Sequence, residues 1–180
     1  MSHQAVNSMV DYDKYPNKNV KTLVALEDLG RGSTGKAWLC VTVTQSYSAP
    51  CVLKFDNEHS WSAKLRMEKE MWHLLYPEFA SMVKIEMWSG ADALVMPHFS
   101  TILESEREQY KDELRKVLQS HFMENGKVHL DLRWRNIGKY KDKSGAVSLV
   151  VYDLYDVVDY DVNLHLAWIE KAMQYLFVHV

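Results

Sequence analysis

Residues 29–40 read LGRGSTGKAWLC, with glycines at 30, 32 and 35 and a lysine at 36. Two phosphate-binding readings compete for this stretch. In the first, Gly30, four residues, Gly35 and Lys36 satisfy the P-loop pattern G-x-x-x-x-G-K, which next requires a Ser or Thr hydroxyl for Mg²⁺. Ala37 has no hydroxyl. That pattern also needs a following helix, whose N-terminus holds the phosphate. AWLCVTVT (37–44) instead alternates and is β-branched, as a strand is. The stretch is therefore read as a glycine turn between two strands. Gly30, Gly32 and Gly35 carry no Cβ, so backbone N–H groups there can approach an anion; a plain tight hairpin is the bland alternative.

Outward from this turn, TLVALEDLG (22–30) is a strand reaching the first glycine. KAWLCVTVTQ (36–45) is a second strand, SYSAP (46–50) a turn and PCVLKF (50–55) a third strand. In SWSAKLRMEKEMWHLLYPEF (60–79) the period changes. Leu65, Met67, Met71, Trp72, Leu74 and Leu75 recur at helical spacing, and Pro77 ends the run. MVKIEMW (82–88) and ALVMPHF (93–99) are two more strands around an SGAD turn. A long amphipathic helix is expected over 102–126, ending at Gly126. Residues 127–140 read as strand and loop, KDKSGA (141–146) as a hairpin turn and VSLVVYDLYDVV (147–158) as a β-branched strand. A last helix is expected from Asp161 or Asn163, either of which can cap it.

This pattern predicts an α+β fold. Residues 1–20 form a polar N-terminal arm and 21–180 a single domain, with a hinge near MPHFS (96–100) separating 21–97 from 98–180. The formal net charge is −3, so no global basic field argues for nucleic acid. LRWRNIGKYKDK (132–143) is locally basic with aromatics interleaved, but is read as a solvated rim. Two cysteines, Cys40 and Cys51, are too few for a disulfide scaffold. No signal-peptide pattern and no apolar run of membrane-spanning length is seen. A cytoplasmic or nuclear setting and no membrane partner are expected.

Four features outside the glycine turn bear on chemistry. Lys54 lies in the strand CVLKF. On the following helix, Met71, Trp72 and Leu75 fall three, four and seven residues after Glu68, on one face. That face must pack on the sheet, so Glu68 points inward. Glu70 lies about 160° further round and reads as a solvated charge. HLDLRWRN spans His129 to Asn136, and Asp153 ends a β-branched strand, with Asp156 as an alternative carboxylate beyond the strand end.

In their order and spacing, these features resemble the protein kinase-like superfamily over about residues 22–155. Gly30, Gly32 and Gly35 match G-x-G-x-x-G-x-V, with Ala37 at the Val position. Lys54 matches the lysine of V-A-I-K. His129, Asp131, Leu132 and Asn136 match H-R-D-L-x-x-x-N, and Asp153-Leu154-Tyr155 stands where D-F-G does. The form H-x-D-L-x-x-x-N is shared with small-molecule phosphotransferases of the aminoglycoside and choline kinase type. More narrowly, AWLCV, CVLKF and DLRWRNIG are similar to the small kinase-like C-terminal domains of Crinkler-type effector proteins.

The resemblance implies a minimal bilobal protein kinase-like fold. An N-terminal antiparallel sheet plus one helix (21–97) is followed by a truncated helical C-terminal lobe (98–180). It implies ATP and Mg²⁺ as cofactors. Lys54, held by Glu68, would bind the α- and β-phosphates, and Asn136 and Asp153 would hold Mg²⁺. Asp131 would handle the acceptor hydroxyl and Arg133 would steady the transferred group. Leu29, Ala37 and Val52 would roof the adenine, with Met96 behind it and Gly30, Gly32 and Gly35 over the phosphates.

The chain also departs from the family. Only 25 residues follow Tyr155, too few for an activation segment and the helices that dock a protein substrate. Leu130 replaces the Arg of H-R-D, so phosphorylation-switched activation by that route is not expected. Tyr155 replaces a glycine and would restrict Asp153. Two functions stay open: an ATP-dependent phosphotransferase of unknown acceptor, and a pseudokinase serving as a nucleotide-binding or protein-interaction scaffold. The apolar residues of the last helix are too many for one stripe. Burial on more than one side, or a homodimer, is the expectation.

Overall fold

A computed structural model gives the structure of residues 22–31, 35–44, 47–56, 63–88, 90–142 and 144–178. The expected N-terminal arm (1–20) and Gly32 lie outside the described residues. The chain forms two units. One comprises the residues up to Lys69 with Glu78–His98, the other Glu70–Pro77 with Phe99–Val180.

The first unit is built on a five-stranded antiparallel sheet: β1 (Thr22–Arg31), β2 (Gly35–Thr44), β3 (Tyr47–Asp56), β4 (Lys84–Trp88) and β5 (Ala91–Pro97), in the order β1-β2-β3-β5-β4. The turn expected at 46–50 is not one. β3 already begins at Tyr47, and Pro50 sits in the ladder opposite Val41.

Opposed residues share a face of the sheet. Cys40 lies opposite Cys51, Trp38 opposite Leu53, Leu53 opposite Val95, and Phe55 opposite Ala93. Cys40, Cys51, Leu53, Ala93 and Val95 are buried on that face, with Trp38, Phe55 and Trp88 packed against them. The other face carries Ala37 opposite Lys54, Lys54 opposite Leu94, and Val52 opposite both Leu39 and Met96.

Both cysteines are free and buried. Burial, and then the neighbouring Cys51 thiol, push Cys40 up to about 11. A protonated, shielded thiol is a poor nucleophile. An aromatic disulfide reagent should therefore titrate no thiol in the native protein and two after denaturation; fast native labelling would contradict this packing.

Helix α1 (Ala63–Leu75) buries Leu65, Glu68, Trp72 and Leu75, a stripe at helical spacing, while Met67 and Leu74 on its other flanks are exposed. Its residues up to Lys69 belong to the first unit and the rest to the second.

Among its described residues the second unit carries two small antiparallel sheets beside its helices, mostly in the regions where strands were expected within 127–140 and 147–158. β6 (Ser100–Thr101), β8 (Ile137–Lys141) and β9 (Val147–Val151) form one, in the order β6-β8-β9. β7 (Lys127–His129) and β10 (Val157–Asp159) form the other. The single helix expected over 102–126 is broken up. Two 3₁₀ turns (Glu104–Glu106, Glu108–Tyr110) lead into α2 (Lys111–Val117), a π turn (Leu118–Phe122) and a last 3₁₀ turn ending at Gly126. The reason is packing. Leu114 and Val117 are buried along the regular α-turns and Leu118 and Phe122 along the π turn, whereas 104–110 buries no residue. There, carboxylates cap locally instead: Glu106 accepts from the Leu103 N–H and from Lys139.

The final helical run is interrupted as well. The Asp161 side chain caps α3 (Val162–His165) by accepting from the Asn163 N–H at 2.7 Å. Ala167 at φ +56° then breaks the run before α4 (Trp168–Val178). Within α4, Met173 and Leu176 are buried, while Tyr175 there and Val162, Leu164 and Leu166 before it are exposed. Among the described residues of this run, the expected burial on more than one side is not observed.

The core of this unit contains a column of rings. Trp72 stacks on Phe99 at 5.6 Å, and Phe99 on Tyr152 at 5.6 Å. Gly138 makes room for it. A Cβ there would meet Phe99 Cβ at 2.8 Å, the Ser100 carbonyl at 3.1 Å and the Tyr152 ring at 3.1 Å. Gly138→Ala should destabilise the protein by about 1–3 kcal/mol, the usual cost of overpacking. Urea unfolding checks this, and an unchanged midpoint would contradict it.

Candidate active site

The glycine turn comes first. Gly30 has φ +106°, a conformation side chains disfavour, and its N–H binds the Asp28 carboxylate at 2.9 Å. Asp28 also pairs with Lys36 at 3.1 Å, and Lys36 lies 4.3 Å over the Trp38 ring. Gly35 opens a strand rather than a helix, which removes the P-loop reading on structural grounds. Leu29 sits at an irregularity of β1, between Asp28 and Gly30, and is exposed.

Ala37, Val52, Lys54 and Met96 share one sheet face, as the cross-strand register dictates. Lys54 and Met96 are buried; Ala37 and Val52 are half-buried. Lys54 donates to Glu68 Oε2 at 2.7 Å, with the two side chains 10% and 1% exposed. Glu70 is exposed. The choice of Glu68 over Glu70, made on helical spacing, therefore agrees with the geometry. A buried ion pair is not a stability device, because desolvation offsets most of the attraction. What the pair does provide is a lysine ammonium held in one position on a sheet face.

In the second unit, four expected residues gather at one end of the β8–β9 pair. Asn136 directly precedes β8 and Asp153 follows β9 by two residues, and the Tyr152 N–H donates to the Asn136 carbonyl at 2.8 Å. Asn136 is buried and its Nδ2 donates to the Asp131 carbonyl at 2.8 Å, which turns its amide oxygen away from that carbonyl. Asp153 has φ +61° and ψ +52°. Left-handed backbone at a non-glycine residue is strained and clusters at functional sites. Tyr155, two residues on, does not adopt positive φ. The residue that needs the unusual backbone is the aspartate.

Asp131 receives two arginines. Arg133 Nε donates to Oδ1 at 2.5 Å and Arg135 Nη2 to Oδ2 at 3.0 Å. Burial alone would raise its pKa, but the hydrogen bonds from Arg135 and Arg133 outweigh it and hold the carboxyl below the usual range. His129 is buried. Its Nδ1 accepts from the Asp131 N–H at 3.2 Å, so Nε2 carries the proton and faces the Tyr152 carbonyl at 3.4 Å. Burial depresses its pKa, outweighing the nearby carboxylates, and keeps it neutral.

Several positioning groups carry no sequence signal. Trp134 Nε1 donates to the Leu176 carbonyl at 2.9 Å and Trp168 Nε1 to the His129 carbonyl at 3.3 Å. Helix α4 thus fastens the 129–136 loop at both ends. Tyr152 Oη donates to the Arg135 carbonyl at 2.5 Å. Arg135 was open to prediction, since it stands four residues after Asp131 in a stretch already singled out.

Among the described residues no group of three or more His, Cys, Asp or Glu is arranged to hold a metal ion. A magnesium ion needs none, because it is held by one or two protein oxygens together with substrate phosphates and water. The Asn136 amide oxygen and the Asp153 carboxylate are hard oxygen donors of that kind. No helix among the described residues is long and apolar enough to cross a membrane.

No curated protein matches the chain. Residues 28–140 match the model of a family described as "Family of unknown function (DUF5898)". The match runs from the glycine turn through Lys54, Glu68, Asp131 and Asn136, and stops before Asp153. It takes in more than half of the 180 residues, and the chain belongs to this family.

Proposed function

We propose that the chain is an ATP- and Mg²⁺-dependent phosphotransferase with a reduced protein kinase-like fold. The observation that carries this reading is the buried Lys54–Glu68 pair at 2.7 Å. Lys54, so held, binds the α- and β-phosphates. Val52, Ala37 and Met96 cover the adenine on the same sheet face, with Leu29, Gly30 and Gly35 at the rim. Asn136 and Asp153 hold Mg²⁺, which neutralises charge on the phosphates. Asp131 orients the acceptor hydroxyl and takes its proton, and Arg133 steadies the transferred phosphoryl group. Two free buried thiols suit a reducing cytoplasmic or nuclear setting.

One observation favours the scaffold alternative: both oxygens of Asp131 are engaged by arginines, which makes it a poor base until one releases it.

Thermal unfolding with and without Mg-ATP tests the nucleotide step. At a ligand concentration 100 times Kd, stabilisation is about 2.7 kcal/mol, a shift of several degrees for a chain of this size. The shift should need the metal and should be lost in Lys54→Met. No shift at millimolar Mg-ATP would remove the nucleotide from the account.

A further inference from the structure

Asp131 is flanked by more positive charge than its own needs. Arg133 and Arg135 each give it one N–H, and a guanidinium has five. Their side chains are 51% and 67% exposed, so the remaining donors face outward. The Asp131 carboxylate alone faces two guanidiniums, while Asp153 and Asp156 lie within electrostatic reach of His129 beside it. Exposed ion pairs contribute little stability, so the second arginine is not explained by folding.

Arg135 is also held in place. Its carbonyl accepts from Tyr152 Oη, Trp134 before it is anchored to Leu176, and the Asn136 N–H donates to the Arg133 carbonyl at 2.8 Å. The backbone is fixed while the tip is free to change partners. On the other side of Asp131 in sequence, Leu130 is 61% exposed. Pockets for small-molecule ligands usually bury most of the ligand's surface. Exposed flanks of this kind suit a chain lying across the loop, with an apolar contact at Leu130 and a charged one at Arg135.

We infer that Arg135 recognises an acidic side chain of the acceptor, which is a serine or threonine in an acidic peptide; this rests on the phosphotransferase reading. The carboxylate of the peptide draws Arg135 away and frees Asp131 Oδ2 for the hydroxyl. The hydroxyl oxygen then forms a bond to the γ-phosphorus as the bond to the β–γ bridging oxygen breaks. ADP leaves with that electron pair, and the hydroxyl proton passes to Asp131. Recognition and release of the base become one event.

The test uses two synthetic peptides with one central serine, flanked by glutamates or by lysines, and Mg-ATP with the full chain. Phosphopeptide is followed by mass spectrometry. The native protein should favour the acidic peptide by roughly tenfold, the contribution of one charge-assisted hydrogen bond, and less so at high salt. Arg135→Gln should bring the ratio near one, and Arg135→Glu should reverse it. A native ratio near one, or one unchanged in both variants, overturns the proposal. So does transfer to neither peptide, or only to a small anionic alcohol such as glycerol phosphate, while Mg-ATP still stabilises the fold. Absence of that stabilisation overturns the phosphotransferase reading itself.

Discussion

On the proposed function, Asp131→Asn should lower the rate of ADP formation by about 10²–10⁴-fold, the range for losing a general base, while a Mg-ATP-dependent thermal shift should persist. The asparagine keeps the size of the side chain and can still accept one arginine N–H. Its backbone groups, which bind His129 Nδ1 and Asn136 Nδ2, are unchanged. The fold around the loop is therefore kept and only the proton acceptor is lost. Single-turnover measurement of ADP separates chemistry from release. An Asp131→Asn protein as fast as the parent would move the chemistry elsewhere, and the scaffold reading would gain.

Glu68→Ala should destabilise the protein by about 3–5 kcal/mol, because it removes the carboxylate that balances a buried ammonium. Both side chains are nearly excluded from solvent, so water cannot take the place of the missing charge without rearrangement. A double replacement, Lys54→Met with Glu68→Leu, should be far milder than Glu68→Ala and can even stabilise, since an apolar pair carries no desolvation cost. Denaturant midpoints of the three variants and the parent measure this. If the double variant is as unstable as Glu68→Ala, the pair contributes to stability directly, and its value as an argument for function falls. If it is stable but no longer shifts with Mg-ATP, the pair is there for the ligand.

Much of the first unit was legible in the sequence because its signals are local. Alternation in 37–44 and 51–55 sets the strand faces, and cross-strand register then puts Ala37, Val52, Lys54 and Met96 together. Helical spacing separates Glu68 from Glu70 with no other information. SYSAP was misread because Pro and Ser suggest a turn. Tertiary pairing opposite 41–44 overrode that preference.

The second unit was harder to read. Charge-rich 102–126 has helical periodicity, yet regular α-helix persists only where Leu114 and Val117 face a core. The break at Ala167 could not be foreseen, since alanine is a strong helix former and there adopts φ +56°. The groups fastening the 129–136 loop, Trp168 and the Leu176 carbonyl, lie some 40 residues away in sequence. Contacts of that range leave no spacing to recognise.

The central claim is that one nucleotide and its metal are held by Lys54, Asn136 and Asp153. A crystal structure with a non-hydrolysable ATP analogue and Mn²⁺, located by its anomalous signal, tests this most directly. The account predicts the metal at about 2.0–2.3 Å from the Asn136 amide oxygen and an Asp153 carboxylate oxygen, as for a hard cation on oxygen ligands, and Lys54 Nζ on an α- or β-phosphate oxygen. Metal bound away from Asn136 and Asp153, or phosphates that do not touch Lys54, would contradict it.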